Sequence, residues 1–259
     1  MRQALVKVIE QLNQVSLYRI DIGAVDDSWM RLDIALQTDW LPQLGQRFAA
    51  DYPGLDCRGK GAFIVARLSH LFTSLLAGCD LAAGFVPLLR ADTIWVRLIN
   101  EQLQIRLDEP DFITADIEPM RRQIIELMTP FIEPVKQFSR LSKTPQWRLV
   151  SDSVASSWLL AGRKLGKEKP AKQRALAIVH DQPSVLSNRF TGYLDVEVYT
   201  PDADGTLTHH HQSYRSRSGC CRVYTADNHD YCATCIHLKP EQRHQRLQTA
   251  LRNEQVATA

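Results

Sequence analysis

The residues of this sequence best suited to chemistry are four cysteines near its C-terminal end. Cys220 and Cys221 are adjacent, and ten residues separate them from the next thiol. Cys232 and Cys235 follow with a two-residue gap, which lets both thiolates bind one metal ion because a tight turn places their sulfurs on one side. Neighbouring side chains point apart in an extended strand, so the adjacent pair needs a kink, which Gly219 is suited to provide. Four such thiolates suit either one tetrahedral zinc ion or one [2Fe–2S] cluster.

Other interpretations of these cysteines remain open on the residues alone. Two disulfides would require an oxidising compartment, and the start of the chain shows no secretory signal. Structural zinc is as well supported by the spacing as a cluster is. Unliganded thiols are a further alternative, although a core rarely gathers four in one loop. Five nearby histidines add to the zinc interpretation, although three of them in succession are also typical of a solvated strand: His209, His210, His211, His229 and His237.

The pattern C-C-x10-C-x2-C resembles the C-terminal motif of the FhuF-like siderophore-iron reductases. The resemblance runs from about Arg215 to Cys235, with Arg217 before the adjacent pair and Tyr224 after it. In that family the motif holds a [2Fe–2S] cluster, so the resemblance favours a cluster over zinc. It implies that the metal ligands, which are also the catalytic residues by way of the cluster, are Cys220, Cys221, Cys232 and Cys235.

The resemblance also implies a reaction and its partners. It implies an oxidoreductase acting on metal ions, which passes one electron to ferric iron in a hydroxamate or catecholate siderophore. Because these hard oxygen ligands favour Fe³⁺ over Fe²⁺, reduction releases the iron. The sequence shows no nucleotide or flavin signature, so the electron must come from an external one-electron donor such as a ferredoxin or a flavin reductase. Two alternatives are a zinc-stapled binding module and a ferredoxin-like relay that has no siderophore site.

Three arginines bracket the cysteines and are the predicted substrate contacts: Arg215, Arg217 and Arg222. A cluster on four thiolates is anionic and repels an anionic siderophore complex, so these side chains would offset that charge and raise the reduction potential. Six basic residues between Arg163 and Arg174, against the single acid Glu168, form a second candidate docking wall. Simple solvation explains both groups of basic residues as well.

Composition and charge exclude several classes of protein. The chain has 259 residues, of which 44% are hydrophobic and 23% charged, as is usual for a globular protein. Its net charge of +2 is too small to indicate a nucleic-acid partner. No apolar run reaches the roughly eighteen residues of a membrane span, which leaves peripheral contact with a membrane compatible with the sequence. We therefore expect a cytoplasmic protein, in which the thiols stay reduced.

Apolar periodicity predicts an α+β fold that is mostly α-helical, with two small antiparallel β-hairpins and a C-terminal iron–sulfur loop. The hairpins are expected over 93–107 and 193–214. Residues 61–82 are apolar on nearly all sides, which indicates a central helix containing His70 and Cys79 as core residues. The other predicted helices cover 1–14, a short segment after Asp26-Asp27-Ser28, a segment from Trp40 to Phe48, and 115–138, 147–164, 171–180 and 239–253.

These elements are expected to form a helical body over 1–180 and a unit over 181–259, packed together. The second unit carries the later hairpin, the cluster loop 219–235 and the last helix. Pro130 and Pro134 should kink or split the helix over 115–138. In the helix over 147–164 we expect Leu160 to point inward, and we expect neither Cys57 nor Cys79 to bind metal.

Overall fold

A computed structural model of the chain describes residues 1–15, 19–99, 102–201 and 204–258. Within these residues the fold is α+β and mostly helical, as predicted. The helices are α1 (Arg2–Val15), α2 (Leu32–Ala35), α3 (Trp40–Phe48), α4 (Cys57–Ala83), α5 (Ile117–Ser139), α6 (Lys143–Lys164), α7 (Glu168–His180) and α8 (Pro240–Thr258). The strands are β1 (Arg19–Ile22), β2 (Met30–Arg31), β3 (Phe85–Pro87), β4 (Ile94–Ile99), β5 (Gln102–Leu107), β6 (Phe112–Thr114), β7 (Gly192–Pro201) and β8 (Leu207–Ser216).

Helix α4 is the centre of the fold, as its apolar residues on nearly all sides predict. It packs against α1, α3, α5 and α6. Its first turn is capped by Asp56, whose side chain accepts a hydrogen bond from the Gly59 amide at 2.6 Å, and it ends at Gly84 with a left-handed φ of 69°. By length and hydropathy this is the one helix of the described residues that could cross a membrane, yet most of it is buried inside the fold, like the core helix of a globular protein.

Small hydroxyl residues line the contact between α4 and α6. The hydroxyl of Ser69 lies 2.8 Å from that of Ser153, and the hydroxyl of Thr73 lies 2.7 Å from that of Ser157. Such side chains let two helices approach closely while each hydroxyl keeps a partner. Further along, the indole of Trp158 donates to Asp80 at 2.8 Å. Helix α6 also contacts the start of the cysteine loop through Leu149 and Asp152.

Both predicted hairpins are present, and each joins further elements. The strands β4 and β5 belong to a four-stranded sheet of order β1-β5-β4-β2, in which β1 runs parallel to β5. The expected connection at Asn100 and Glu101 lies outside the described residues. The strands β7 and β8 pair along their whole length, and Val196 and Val198 pack against Leu247 of α8. The first cysteines of the motif, Cys220 and Cys221, follow shortly after the end of β8.

The segment around Trp29 is not one short helix. Asp26 closes a turn by accepting from the Ser28 amide at 2.9 Å, and β2 and then α2 follow. The guanidinium carbon of Arg97 lies over the buried indole of Trp29, 4.1 Å from the centre of the ring. Local turn chemistry and sheet pairing therefore override the helical signal here.

Of the predicted kink or split at Pro130 and Pro134, the split does not occur, because helix α5 runs unbroken through both prolines. The two prolines are four residues apart and lie on the less buried side of the helix. The carbonyls that lose their amide partner can be hydrated there, which lowers the cost of each proline. The prediction for Leu160 is also wrong, because this residue is 49% exposed whereas its neighbour Leu159 is buried.

Close packing of α4 against α5 leads to a stability prediction at Gly61. A methyl group at this position would overlap the buried Ser139 side chain and approach Val135 Cγ1 at 3.2 Å. We expect Gly61→Ala to lower the free energy of unfolding by about 1–2 kcal/mol, since overpacking outweighs the gain in helix propensity. Urea unfolding measures this difference. Gly192→Ala is the control, since an added methyl there meets no atom within 4 Å, and an equal loss in both variants would contradict the packing argument.

Candidate metal centre

The structure brings all four predicted ligands to one place. Cys220, Cys221, Cys232 and Cys235 line a single small cavity together with Arg217. The thiols of Cys221 and Cys232 are close enough to hydrogen bond with each other. Cys235 is buried and the other three are half-buried, so the cluster of thiols lies just beneath the surface. All six cysteines of the chain are free thiols in this structure.

The backbone around the adjacent pair turns after the cysteines rather than before them. Arg222 has a left-handed φ of 60° and leads into a 3₁₀ turn over Val223–Thr225. Gly219 is required for a different reason, because an added Cβ would lie 2.9 Å from the backbone nitrogen of Leu149 in α6. The second pair behaves as its spacing predicts, since the Cys235 amide donates to the Cys232 carbonyl at 2.9 Å in a tight turn.

A buried carboxylate on α6 holds the start of the loop. Asp152 is 1% exposed and accepts hydrogen bonds from the backbone amides of Ser218 at 2.8 Å and Gly219 at 2.9 Å. The hydroxyls of Ser218 at 2.8 Å and Thr191 at 3.2 Å donate to the same carboxylate. These four bonds fix the backbone immediately before Cys220. The sequence analysis missed Asp152, whose one signal is that it is the only acidic residue of α6.

Arg217 directs its charge at the sulfurs. Its Nη1 lies 3.3 Å from Cys232 Sγ and 3.6 Å from Cys221 Sγ, and its Nε lies 3.9 Å from Asp152 Oδ2. Only 10% of the side chain is exposed. Burial by itself lowers the pKa of Arg217, but the nearby Cys221, Cys232 and Asp152 outweigh it and raise the pKa above its ordinary value. The guanidinium therefore stays charged beside the thiols.

The charges around the thiols do not balance when the thiols are neutral. Arg215 is half-buried and donates from Nη1 to the Asp152 carbonyl at 3.0 Å. Burial, and then the charge of Arg217, lower the pKa of Arg215. The Asp152 carboxylate lies near both guanidiniums and forms an ion pair with that of Arg217. The pKa of the Cys221 thiol is lowered, first by the hydrogen bond with Cys232 and also by Arg217. Burial raises the pKa of Cys220, and the hydrogen bond with Cys221 raises that of Cys232, so of these three thiols the site favours the thiolate form only at Cys221.

Arg222 braces the loop against the central helix. Its guanidinium binds the carboxylate of Asp56, the N-cap of α4, with Nε 3.0 Å from either oxygen. The pKa of Asp56 is lowered chiefly by this hydrogen bond. The Asp56 amide donates to Thr225 Oγ1 at 3.3 Å. All three arginines that the sequence predicts as substrate contacts therefore bind groups of the protein itself. A substrate can use only the donor atoms that these internal contacts leave over.

Most of the basic run between Arg163 and Arg174 is also occupied by contacts within the fold. Lys167 Nζ donates to the Leu81 carbonyl at 2.8 Å, and Arg174 pairs with the buried Asp80. Lys164 and Lys169 have neither an ion pair nor a side-chain hydrogen bond in the described part of the chain. The residues with internal partners are Arg163, Lys167, Lys172 and Arg174.

The remaining cysteines and the histidines lie apart from the four thiols. Burial raises the pKa of Cys79 to about 12, and the Cys57 thiol lies 3.3 Å from the Phe138 carbonyl. None of the histidines that the structure describes lines the cavity: His229 contacts the Asp227 carbonyl through Nδ1 at 2.9 Å, and His237 packs on tyrosine rings. Over the same residues, no three His, Cys, Asp or Glu side chains lie close enough together to hold one metal ion.

The fit of a metal group to this site rests on the donor set. Four thiols within one loop are a donor set that zinc and iron–sulfur clusters share, and the buried guanidiniums of Arg215 and Arg217 offset the negative charge that such a group carries. The donor chemistry therefore suits a thiolate-bound metal group, and the four thiols would have to draw closer together to hold one.

The cysteine motif is the feature on which the resemblance depends, and its four cysteines line one cavity. In comparisons with known proteins, no protein-family model and no curated protein matches this chain.

Proposed function

We propose that this protein is a one-electron ferric-siderophore reductase, with a [2Fe–2S] cluster held by Cys220, Cys221, Cys232 and Cys235. The observation that carries the proposal is Arg217, a nearly buried guanidinium aimed at two of the four sulfurs. Asp152 is one negative charge beside the two positive charges of Arg215 and Arg217, and a buried positive charge left unbalanced is costly. Thiolates that carry a metal group would supply that counter-charge, whereas neutral thiols would not.

The position of the thiols supports electron exchange over a purely structural role. Cys220, Cys221 and Cys232 are all half-buried, so a substrate docked on this surface would come close to the ligands. A structural zinc site has no need of such access. When bound, the cluster would supply one electron at a time, and release of iron follows because siderophore oxygens hold Fe²⁺ far less tightly than Fe³⁺.

The protein's own residues would prepare the site in three ways. Asp152 fixes the backbone before the first two ligands. The pair formed by Arg222 and Asp56 holds the backbone after them. Arg217 offsets the negative charge of the thiolates, which would otherwise repel an anionic ferric complex. A cytoplasmic location belongs to the proposal, since reducing conditions keep the four thiols available.

The test is reduction of a ferric siderophore by protein purified without oxygen. We expect a red-brown protein containing iron and sulfide, which bleaches on reduction. Adding a ferric hydroxamate or a ferric catecholate should restore the colour, with one Fe²⁺ appearing per electron in a ferrous-iron chelator assay. A colourless protein that contains zinc would instead support the zinc-stapled binding module. A coloured protein that reduces neither siderophore class would support the electron relay.

Arg217 gives a prediction that separates a role in tuning from a role in docking. We expect Arg217→Gln to make the reduction potential of the loaded protein more negative. The substitution removes a positive charge next to the sulfurs, and that charge would stabilise the reduced state. A spectroelectrochemical titration measures the shift, and Arg217→Lys should recover part of it. Lys169→Gln is the control for a general change in net charge. An unchanged reduction potential in Arg217→Gln would show that Arg217 does not tune the potential of the site.

A further inference from the structure

A second cavity, separate from the thiols, lies where α1, α4 and α6 meet. Its volume is about 610 Å³, which is within the range of about 300–1,000 Å³ for small-molecule sites. One side is apolar, and Leu160, an exposed leucine of α6, belongs to it. Exposure of Leu160 and Leu165 is otherwise unexplained by the fold. The apolar lining includes Ala4, Val8, Leu12, Ala82, Leu160 and Leu165.

Three polar side chains converge on the same cavity from the helix contact. His70, Ser74 and Ser157 all line it. The Ser157 hydroxyl lies 3.2 Å from His70 Nδ1 and 3.1 Å from the Ser74 hydroxyl. The other ring nitrogen of His70, Nε2, has no hydrogen-bond partner in the described residues. These groups offer hydrogen bonds to a ligand beside the apolar part of the lining, and such a combination is usual in a small-molecule site.

The charged side chains in the described lining of the cavity are both positive. Lys7 of α1 and Lys164 of α6 both line it, and neither forms an ion pair or a side-chain hydrogen bond with a residue that the structure describes. No carboxylate lies in the lining as far as the chain is described. Two free cations above an apolar wall complement a ligand that has an apolar body and an anionic head.

We infer that this cavity binds a small amphipathic anion, namely a carboxylate that carries an apolar chain. The chain would lie along Val8, Leu12 and Leu160, and the carboxylate would meet Lys7 and Lys164. This site is independent of the proposed reductase function, because it uses none of the thiols and none of the residues that anchor their loop.

The probe is dodecanoate, used below its micelle concentration and titrated calorimetrically into the full chain. We expect saturable binding of one dodecanoate, and no comparable binding of dodecyltrimethylammonium, which has the same tail and the opposite charge. Butanoate, which keeps the carboxylate and loses the tail, should bind far more weakly. Equal binding of the anionic and cationic probes, or no saturable binding of dodecanoate, would overturn the proposal.

Variants distinguish this cavity from other surfaces. The double variant Lys7→Glu, Lys164→Glu should weaken dodecanoate binding by about tenfold or more, because charge-assisted contacts become repulsive. The matched control is Lys169→Glu, Lys239→Glu, which makes the same change of charge at exposed lysines outside the cavity, and it should bind dodecanoate like the parent. Leu160→Glu changes an exposed position, so it should weaken binding without loss of folding. An equal loss in the control pair would overturn the assignment to this cavity.

Discussion

Replacing Cys221 by Ser is expected to abolish the visible absorption that the proposed cluster gives and to leave the protein without bound metal. Cys221 is in contact with Cys232 and lies 3.6 Å from the Arg217 guanidinium, so its sulfur is central to the donor set. A serine hydroxyl is a poor replacement because it stays protonated at neutral pH, whereas the metal group needs a thiolate. Absorption spectra with iron, zinc and sulfide analysis measure the loss. The same result is expected for Cys220, Cys232 and Cys235.

The two other cysteines provide matched controls for this prediction. Cys79→Ser and Cys57→Ser should each leave the spectrum and the metal content per folded molecule unchanged. Cys79 is buried in the core, where burial raises its thiol pKa to about 12, and Cys57 begins the central helix. If either control bleached the protein while Cys221→Ser kept its colour, the ligand assignment would be wrong. If the parent protein retained zinc rather than iron, the assignment of the ligands would stand and the metal would be zinc.

The second large effect is expected at Asp152. Replacing it by Ala should lower the free energy of unfolding of the metal-free protein by about 3–5 kcal/mol, since the buried guanidiniums of Arg215 and Arg217 lose their counter-charge. The amides of Ser218 and Gly219 also lose their acceptor. Because these amides position the backbone before Cys220, metal loading should fall as well. Denaturant unfolding without metal separates the first effect from the stabilisation that metal binding adds.

Asp80 is the control for this prediction. It is also a buried carboxylate, bound by the Trp158 indole and by Arg174, but it contacts no part of the cysteine loop in the described structure. Asp80→Ala should therefore destabilise the protein while leaving the metal content per folded molecule unchanged. If Asp152→Ala lost stability but bound metal normally, the carboxylate would be a core residue with no role in shaping the site.

The sequence alone determined those features that depend on local spacing. Helix α4 could be predicted because its apolar residues repeat on nearly all sides, and the paired strands β4 and β5 because their residues alternate. The four candidate ligands could be named from the spacing of Cys220 to Cys235. Each of these signals lies within a short stretch of chain, so no knowledge of distant contacts is needed to detect it.

Only the tertiary structure decided what surrounds the thiols. The bonds from Ser218 and Gly219 to Asp152 span more than sixty residues of sequence, and that between Arg222 and Asp56 spans 166. Nothing in the local pattern distinguishes an arginine that meets solvent from one, such as Arg217, that is nearly buried against two sulfurs. Burial and charge pairing depend on which elements meet, and the packing of α6 against the loop decides that.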